Sequence, residues 1–155
     1  MTNQEIAEKL GSLAQLDVDA VHAYSQAIDE ISIPDIREQL SAYRSDHDRH
    51  YMDLSAALRK IGAKPPEYSR SFKGFLIEGF TMVRSATGTE GALRAMEDNE
   101  QLTNRSYAEA ATWDVPADIA LLIRNNHRDE QVHLKYIQNA LQNHVWEEKR
   151  QAVAR

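Results

Sequence analysis

Two halves of this chain repeat each other at a constant offset of 83 residues, and the repeat includes polar residues placed in otherwise apolar helical stripes. The polar pairs are Asp17 with Glu100, Tyr24 with Tyr107, His47 with Glu130, and His50 with His133. Seven further positions carry the same residue type in both halves, among them Leu10 with Leu93 and Asp46 with Asp129. This gap-free match predicts a duplicated helical hairpin whose halves are related by a pseudo-twofold axis.

Apolar residues recur every three or four positions in four stretches, which predicts amphipathic helices at about 3–31, 34–62, 89–112 and 115–146. Pro34 suits the first position of the second helix, and Gly62 suits its C-terminal end. Asp114 is a candidate N-cap for the fourth helix. Residues 63–88 form a long connection in which Phe72 to Val83 reads as a shorter amphipathic helix.

The lengths of the connections predict the topology. Short turns join the first helix to the second and the third to the fourth, so each pair is expected to be antiparallel. The long 63–88 connection is what a crossover between two parallel helices needs. We therefore predict an all-α fold, a ferritin-like four-helix bundle in one domain spanning residues 1–155, with repeat halves at about 3–62 and 89–146.

Composition narrows the class of protein. A net charge of −6 with no basic cluster argues against a nucleic-acid surface. Without cysteine the chain has no disulfide and no thiolate metal site. The polar N-terminus is unlike a secretory signal and no apolar run is long enough to span a membrane, so we expect a cytoplasmic protein. A homodimer is the base-rate expectation for its assembly.

Acids and imidazoles that converge on the middle of a bundle need a reason, because burying unpaired charge is costly. Glu130 and His133 are three residues apart and point to one side of their helix, as do His47 and His50. The first and third helices offer Asp17 and Glu100. The predicted ligand set is therefore Asp17, His47, His50, Glu100, Glu130 and His133.

Carboxylate and imidazole ligands suit iron, manganese or zinc. Two divalent ions would bring four positive charges against three carboxylates, which would offset the cost of burying the acids. Tyr24 and Tyr107 lie two helical turns beyond Asp17 and Glu100 and are candidates to bond the ligands or to donate electrons. The alternative interpretation is a buried polar network without metal. Asp19, Asp46 and Asp48 are expected at the surface.

Four segments of the chain are distinctive: IGAKPPEYS, GFLIEGFTMVRSATG, ALRAMEDNEQLTNRSYAEA and DVPADI. In these segments the chain resembles the ferritin-like superfamily and, within it, a bacterial family of four-helix-bundle proteins of about this length. The superfamily resemblance implies a di-iron or di-manganese centre that acts on dioxygen or peroxide. It makes Asp17 and Glu100 the single carboxylates, Glu130 and His133 one Glu-x-x-His motif, and His50 the histidine of the second motif. His47 stands where that motif has Glu, and Asp17 is one methylene shorter than the usual Glu.

The functional hypothesis is a ferritin-like metal protein, with iron most favoured and manganese or zinc as alternatives, that acts as an oxidase or a peroxide-scavenging stress protein. Whether it is an enzyme stays open at this point. One alternative is a metal-free structural or partner-binding bundle, and His47 is the residue that favours it. A second alternative is an iron-storage subunit.

Overall fold

The computed structural model describes residues 1–68 and 88–147. Four α-helices account for most of this part: α1 (Asn3–Glu30), α2 (Pro34–Lys60), α3 (Gly88–Ala110) and α4 (Ala117–Gln142). The all-α prediction is confirmed for the described residues, which contain no β-strand. The predicted Phe72–Val83 helix and most of the predicted C-terminal tail lie outside these residues.

Local sequence sets the start of α1 and both ends of α2. The Thr2 hydroxyl accepts a hydrogen bond from the Glu5 backbone N–H, and the Glu5 carboxylate accepts one from the Thr2 N–H, so a capping box starts α1. Pro34 occupies the first turn of α2 as predicted. At the other end Gly62 adopts φ +81°, and Ala63 N–H bonds back to Leu58 O at 2.9 Å, which closes α2 with a Schellman motif.

Two predicted boundaries of α4 are wrong. The N-cap is Pro116 rather than Asp114, whose side chain is exposed and lies 3.7 Å from the N-terminal amine. The reason is that a residue before proline disfavours helical geometry, so Val115 cannot belong to the helix. At its other end α4 stops at Gln142 rather than near 146, because His144 adopts a left-handed φ of 47°.

Contacts at the helix ends fix the directions of the four helices. Gly88 at the start of α3 donates its N–H to the Glu30 carboxylate at the end of α1, with an N–O distance of 3.3 Å. Lys60 at the end of α2 pairs with Asp118 at the start of α4 at 2.6 Å. Hence α1 runs antiparallel to α3, and α2 antiparallel to α4. Since α1 and α2 are also antiparallel, α2 ends at the opposite end of the bundle from where α3 begins.

The residues that recur every three or four positions in the four predicted helices form the core. In the first, third and fourth of these stripes every residue is buried, and in the second, which runs from Ile36 to Ile61, only Ala57 and Ile61 are partly exposed. The expectation that Asp19 is solvated is wrong, since it is only 3% exposed. It accepts a hydrogen bond from Gln15, and burial raises its pKa to about 6. The stripe rule assumes one buried face, whereas the middle of α1 is buried almost all round.

None of the helices within residues 1–68 and 88–147 combines the length and the apolar character that crossing a bilayer requires.

Two glycines should respond to alanine with opposite signs. A Cβ at either Gly62 or Gly11 meets no atom within 4 Å, so backbone preference alone decides the outcome. Gly62→Ala should lower the free energy of unfolding by about 1 kcal/mol or more, because alanine is strained at its positive φ. Gly11→Ala, inside α1, should raise it by about 1 kcal/mol. Urea denaturation of both variants tests this, and a stabilised Gly62→Ala protein would contradict the assigned helix end.

Candidate metal centre

The six predicted residues come together in the core, where four helices each contribute to one cluster, hereafter the centre. α1 supplies one carboxylate, α2 two imidazoles, α3 one carboxylate, and α4 one carboxylate and one imidazole. All six side chains are at most 1% exposed: Asp17, His47, His50, Glu100, Glu130 and His133. The helical phase predicted from the apolar stripes is thus the one that directs these groups inward.

One half of the centre is built around Asp17 and His50. His47 Nδ1 lies 2.8 Å from Asp17 Oδ1, and His50 Nδ1 lies 3.3 Å from the same oxygen. Glu130 Oε1 lies 3.1 Å from His50 Nδ1 and 3.4 Å from His47 Nδ1. Four potential ligand atoms therefore face one another in a small volume, and none of them is open to solvent.

The other half is built around Glu100 and His133. His47 Nε2 lies 3.3 Å from Glu100 Oε1, and His133 Nδ1 lies 3.5 Å from that oxygen. Glu130 Oε2 lies 3.9 Å from His133 Nδ1. His47 therefore presents one ring nitrogen to each half, and Glu130 presents one oxygen to each half.

Two overlapping sets of residues can each hold a metal ion, because within each set the ligand atoms lie within 4.8 Å of one another. The sets are Asp17, His47, His50 and Glu130, and His47, Glu100, Glu130 and His133. The two shared members are His47 and Glu130, which occupy matching positions of the sequence repeat. An imidazole and a carboxylate thus stand at equivalent places between the two halves.

The tyrosines link the repeat halves crosswise. Tyr107 donates a hydrogen bond to Asp17 Oδ2 at 2.6 Å, and Tyr24 donates one to Glu100 Oε1. Each bond is the image of the other under the repeat, as expected for a pseudo-twofold axis. The symmetry is broken at Asn126, whose amide donates to the Tyr107 hydroxyl at 3.3 Å. The matching position in the first half holds Tyr43, which packs on the ring of His133 instead.

Sequence reasoning missed the outer partners of two histidines. His133 Nε2 lies 2.8 Å from Asp46 Oδ2, and His50 Nε2 lies 2.9 Å from Asp129 Oδ2. Both aspartates are about one third exposed, so Asp46 lies at the surface as predicted but also reaches the centre. The signal was present, because Asp46 and Asp129 match in the repeat and lie one turn before His50 and His133.

The protonation of the side chains in the centre depends on their contacts with one another. Burial opposes a charge on His47, but Glu130, Asp17 and Glu100 raise its pKa well above the usual value. Burial opposes a charge on Glu100 as well, yet hydrogen bonds from the neighbouring imidazoles lower the pKa of this carboxyl group. Glu130 differs, because burial and the charges of Glu100 and Asp17 raise its pKa although His47 opposes them. Glu130 is thus the carboxylate that the protein compensates least.

Three buried atoms of the centre lack a hydrogen bond to the described residues, and their chemistry suits a cation. Both carboxylate oxygens of Glu130 and Nδ1 of His133 are buried and make no hydrogen bond of acceptable geometry with the described part of the chain. Buried polar atoms are normally satisfied, and such exceptions need an explanation. All three are good electron-pair donors to iron, manganese or zinc, so a cation between them would satisfy them together.

Comparison with known proteins identifies a family. The sequence profile of a family described as a domain of unknown function (DUF2383) matches residues 5–112, more than two thirds of the chain. The chain belongs to this family. The matched region contains four residues of the centre and ends before α4, which carries Glu130 and His133. The chain matches none of the curated proteins and none of the solved structures.

Replacing Glu130 by glutamine should separate stability from metal binding. Glu130→Gln removes the charge of a buried carboxylate that makes no hydrogen bond of acceptable geometry with the described residues and whose pKa burial raises, so the metal-free protein should gain about 1–3 kcal/mol of stability. The same variant should lose any stabilisation by added Mn(II). Calorimetry in chelator and in Mn(II) measures both effects, with Glu97→Gln, a half-buried site on the same bundle, as control. A metal-free Glu130→Gln protein that melts below the wild type would contradict this account of Glu130.

Proposed function

We propose that this protein binds metal ions in the buried centre and that the centre accommodates two of them, one in each overlapping set. The observation that carries the proposal is that the Glu130 carboxylate and His133 Nδ1, in a water-excluded core, make no hydrogen bond of acceptable geometry with any described residue. Imidazole nitrogens lie 3.1 Å and 3.4 Å from Glu130 Oε1 but make no hydrogen bond of acceptable geometry with it. A charged carboxylate held in this way in the core costs several kcal/mol unless a cation compensates it. Asp17 and His50 would hold one ion, Glu100 and His133 the other, with His47 and Glu130 available to both.

The chemistry of the donors limits the choice of metal. Three carboxylates and three imidazoles, without thiolates, suit iron, manganese or zinc, and of these we favour iron. A symmetric set with Glu at both shared positions would carry four negative charges, but His47 reduces the number to three. Fewer negative charges stabilise trivalent ions less, so this centre should favour the divalent state.

Helix direction supports a ferritin-like interpretation of the bundle. In that arrangement two antiparallel pairs are joined by one crossover, and two helices give single carboxylates while the other two give paired ligands. Here α2 and α3 point the same way, α1 and α3 give Asp17 and Glu100, and α2 and α4 give the pairs. The helices of this chain thus supply ligands in the order that the ferritin-like arrangement requires. His47 is the exception, because it stands where that arrangement has Glu.

The function that this centre supports best is the handling of dioxygen or peroxide in oxidative stress or iron metabolism. Bound iron or manganese ions would supply the electrons and the Lewis acidity that such reactions need. The chain contributes a core closed to bulk water and two phenols that orient Glu100 and Asp17. Burial and the nearby carboxylates raise the pKa of both tyrosines, so Tyr24 and Tyr107 keep their protons and act as donors.

A second candidate function is a metal-free structural or partner-binding bundle, and His47 is the observation that favours it. Its two ring nitrogens face Asp17 at 2.8 Å and Glu100 at 3.3 Å, as an internal cation would. In that case imidazolium would balance the buried acids without metal. This function leaves the Glu130 carboxylate and His133 Nδ1 without a hydrogen bond of acceptable geometry to any described residue, which is why we rank it second.

Metal content per chain tests the proposal. After anaerobic Fe(II) loading and desalting, the wild type should retain about two ions per chain, and the melting temperature should rise because the metal binds only the native state. The Glu130→Ala/His133→Ala variant should lose both ions. A control that replaces two exposed residues of the same helix, Leu121 and Val132, by alanine should retain them. A wild type that retains no metal and melts unchanged would favour the metal-free bundle.

Changing His47 to the residue found at its matching position should strengthen binding of the second ion. His47→Glu adds a fourth carboxylate, so the second Mn(II) should bind at least about tenfold more tightly, which corresponds to about 1.4 kcal/mol. The metal-free variant should be less stable, because one more buried acid lacks a partner. Ser45→Glu, exposed on the same helix, controls for net charge. Unchanged or weaker binding of the second ion would show that His47 does not lie between two ions.

A further inference from the structure

We propose that Arg49 is a positioning residue for both halves of the centre, which it reaches through the two outer aspartates. The inference rests on the proposed metal-binding function and extends it to residues outside the ligand set. Arg49 Nη2 lies 2.6 Å from Asp129 Oδ2 and 3.3 Å from Asp46 Oδ1. One guanidinium group therefore contacts the carboxylate behind His50 and the carboxylate behind His133.

The contacts form one continuous series from His50 to His133. It runs from His50 Nε2 to Asp129 at 2.9 Å, on to Arg49, then to Asp46, and from Asp46 Oδ2 to His133 Nε2 at 2.8 Å. The two histidines approach the centre from different helices, α2 and α4. Arg49 therefore contacts both of the aspartates that bond to these two histidines.

This series of contacts fixes the orientation of both imidazole rings. A histidine whose Nε2–H bonds to a carboxylate has its ring fixed and its Nδ1 free to bind a metal. In both His50 and His133, Nε2 faces the outer aspartate while Nδ1 faces the carboxylates of the centre. Aspartates that are one third exposed could rotate into solvent, and the shared Arg49 guanidinium restrains them both.

The repeat shows that Arg49 has no counterpart in the second half. Its matching position holds Val132, which is 57% exposed and carries no charge. The two outer aspartates are duplicated, but they share a single arginine. Exposed ion pairs contribute little to stability, and Arg49 is about half exposed. Its removal should therefore affect the geometry of the histidines far more than the folding of the bundle.

Stepwise binding of Co(II), followed by visible absorption, tests the proposal in the full chain. Arg49→Met should weaken both binding steps about tenfold, within the range reported for loss of outer-sphere partners, and alter the ligand-field spectrum. Asp129→Asn should weaken mainly the step that uses His50. Arg49→Lys should restore part of the affinity, because a single nitrogen, Nη2, makes both contacts.

The matched control is Arg94→Met, which removes an exposed arginine paired with Glu90 at 2.9 Å, away from the centre. It should leave both Co(II) steps unchanged. Equal Co(II) affinities in the wild type and Arg49→Met would overturn the positioning role while leaving the proposed metal function intact. Equal losses in Arg49→Met and Arg94→Met would overturn it too, since the effect would then be one of general charge.

A second measurement on metal-free protein separates failure of this inference from failure of the proposed function. The Nε2–H protons of His50 and His133 should give slowly exchanging NMR signals in the wild type, because each bonds to a carboxylate. Both signals should broaden or exchange rapidly in Arg49→Met and persist in Arg94→Met. Their persistence in Arg49→Met would overturn the inference, whether or not the wild type binds Co(II).

Discussion

The burial of six ionisable side chains in the middle of a four-helix core is the constraint on which the rest of this structure depends. Acids and imidazoles that are at most 1% exposed cannot be stabilised by water. They must be stabilised by one another, by hydrogen bonds to neighbouring side chains or by a bound cation. Each element around them serves that need. The tyrosines donate to Asp17 and Glu100, and the outer aspartates accept from His50 and His133.

The duplicated hairpin that the repeat predicts would explain why the contacts that stabilise these buried groups are so nearly symmetric. A helical hairpin that carries an acid, a tyrosine, an aspartate and a histidine gives, when two copies pack together, a ring of crosswise bonds. Tyr24 reaches Glu100 in the other half just as Tyr107 reaches Asp17. The proposed roles of His47 and Arg49 fall at departures from symmetry: His47 faces Glu130 across the centre, and Arg49 contacts two aspartates whereas the matching Val132 carries no charge.

Much of this arrangement could be predicted from sequence because it depends on helical periodicity. The residues spaced by threes and fours in α1, α3 and α4 are all buried, and the constant offset placed the six polar groups together. The role of Asp46 was missed because it lies off the stripe and meets its histidine on another helix. Asp19 was misplaced because α1 is buried on more than one face. Asp114 failed as a cap because Pro116 delays the helix.

The central claim is that a cation binds the Glu130 carboxylate and His133 Nδ1, which make no hydrogen bond of acceptable geometry with the described residues. Crystals grown with Mn(II) and measured near the manganese edge would locate any bound ion by its anomalous scattering. If the centre holds two ions, two peaks are expected in the core, one beside Asp17 and His50 and the other beside Glu100 and His133. A core without peaks, with signal only at exposed carboxylates, would contradict the claim and leave His47 as the internal cation of a metal-free bundle.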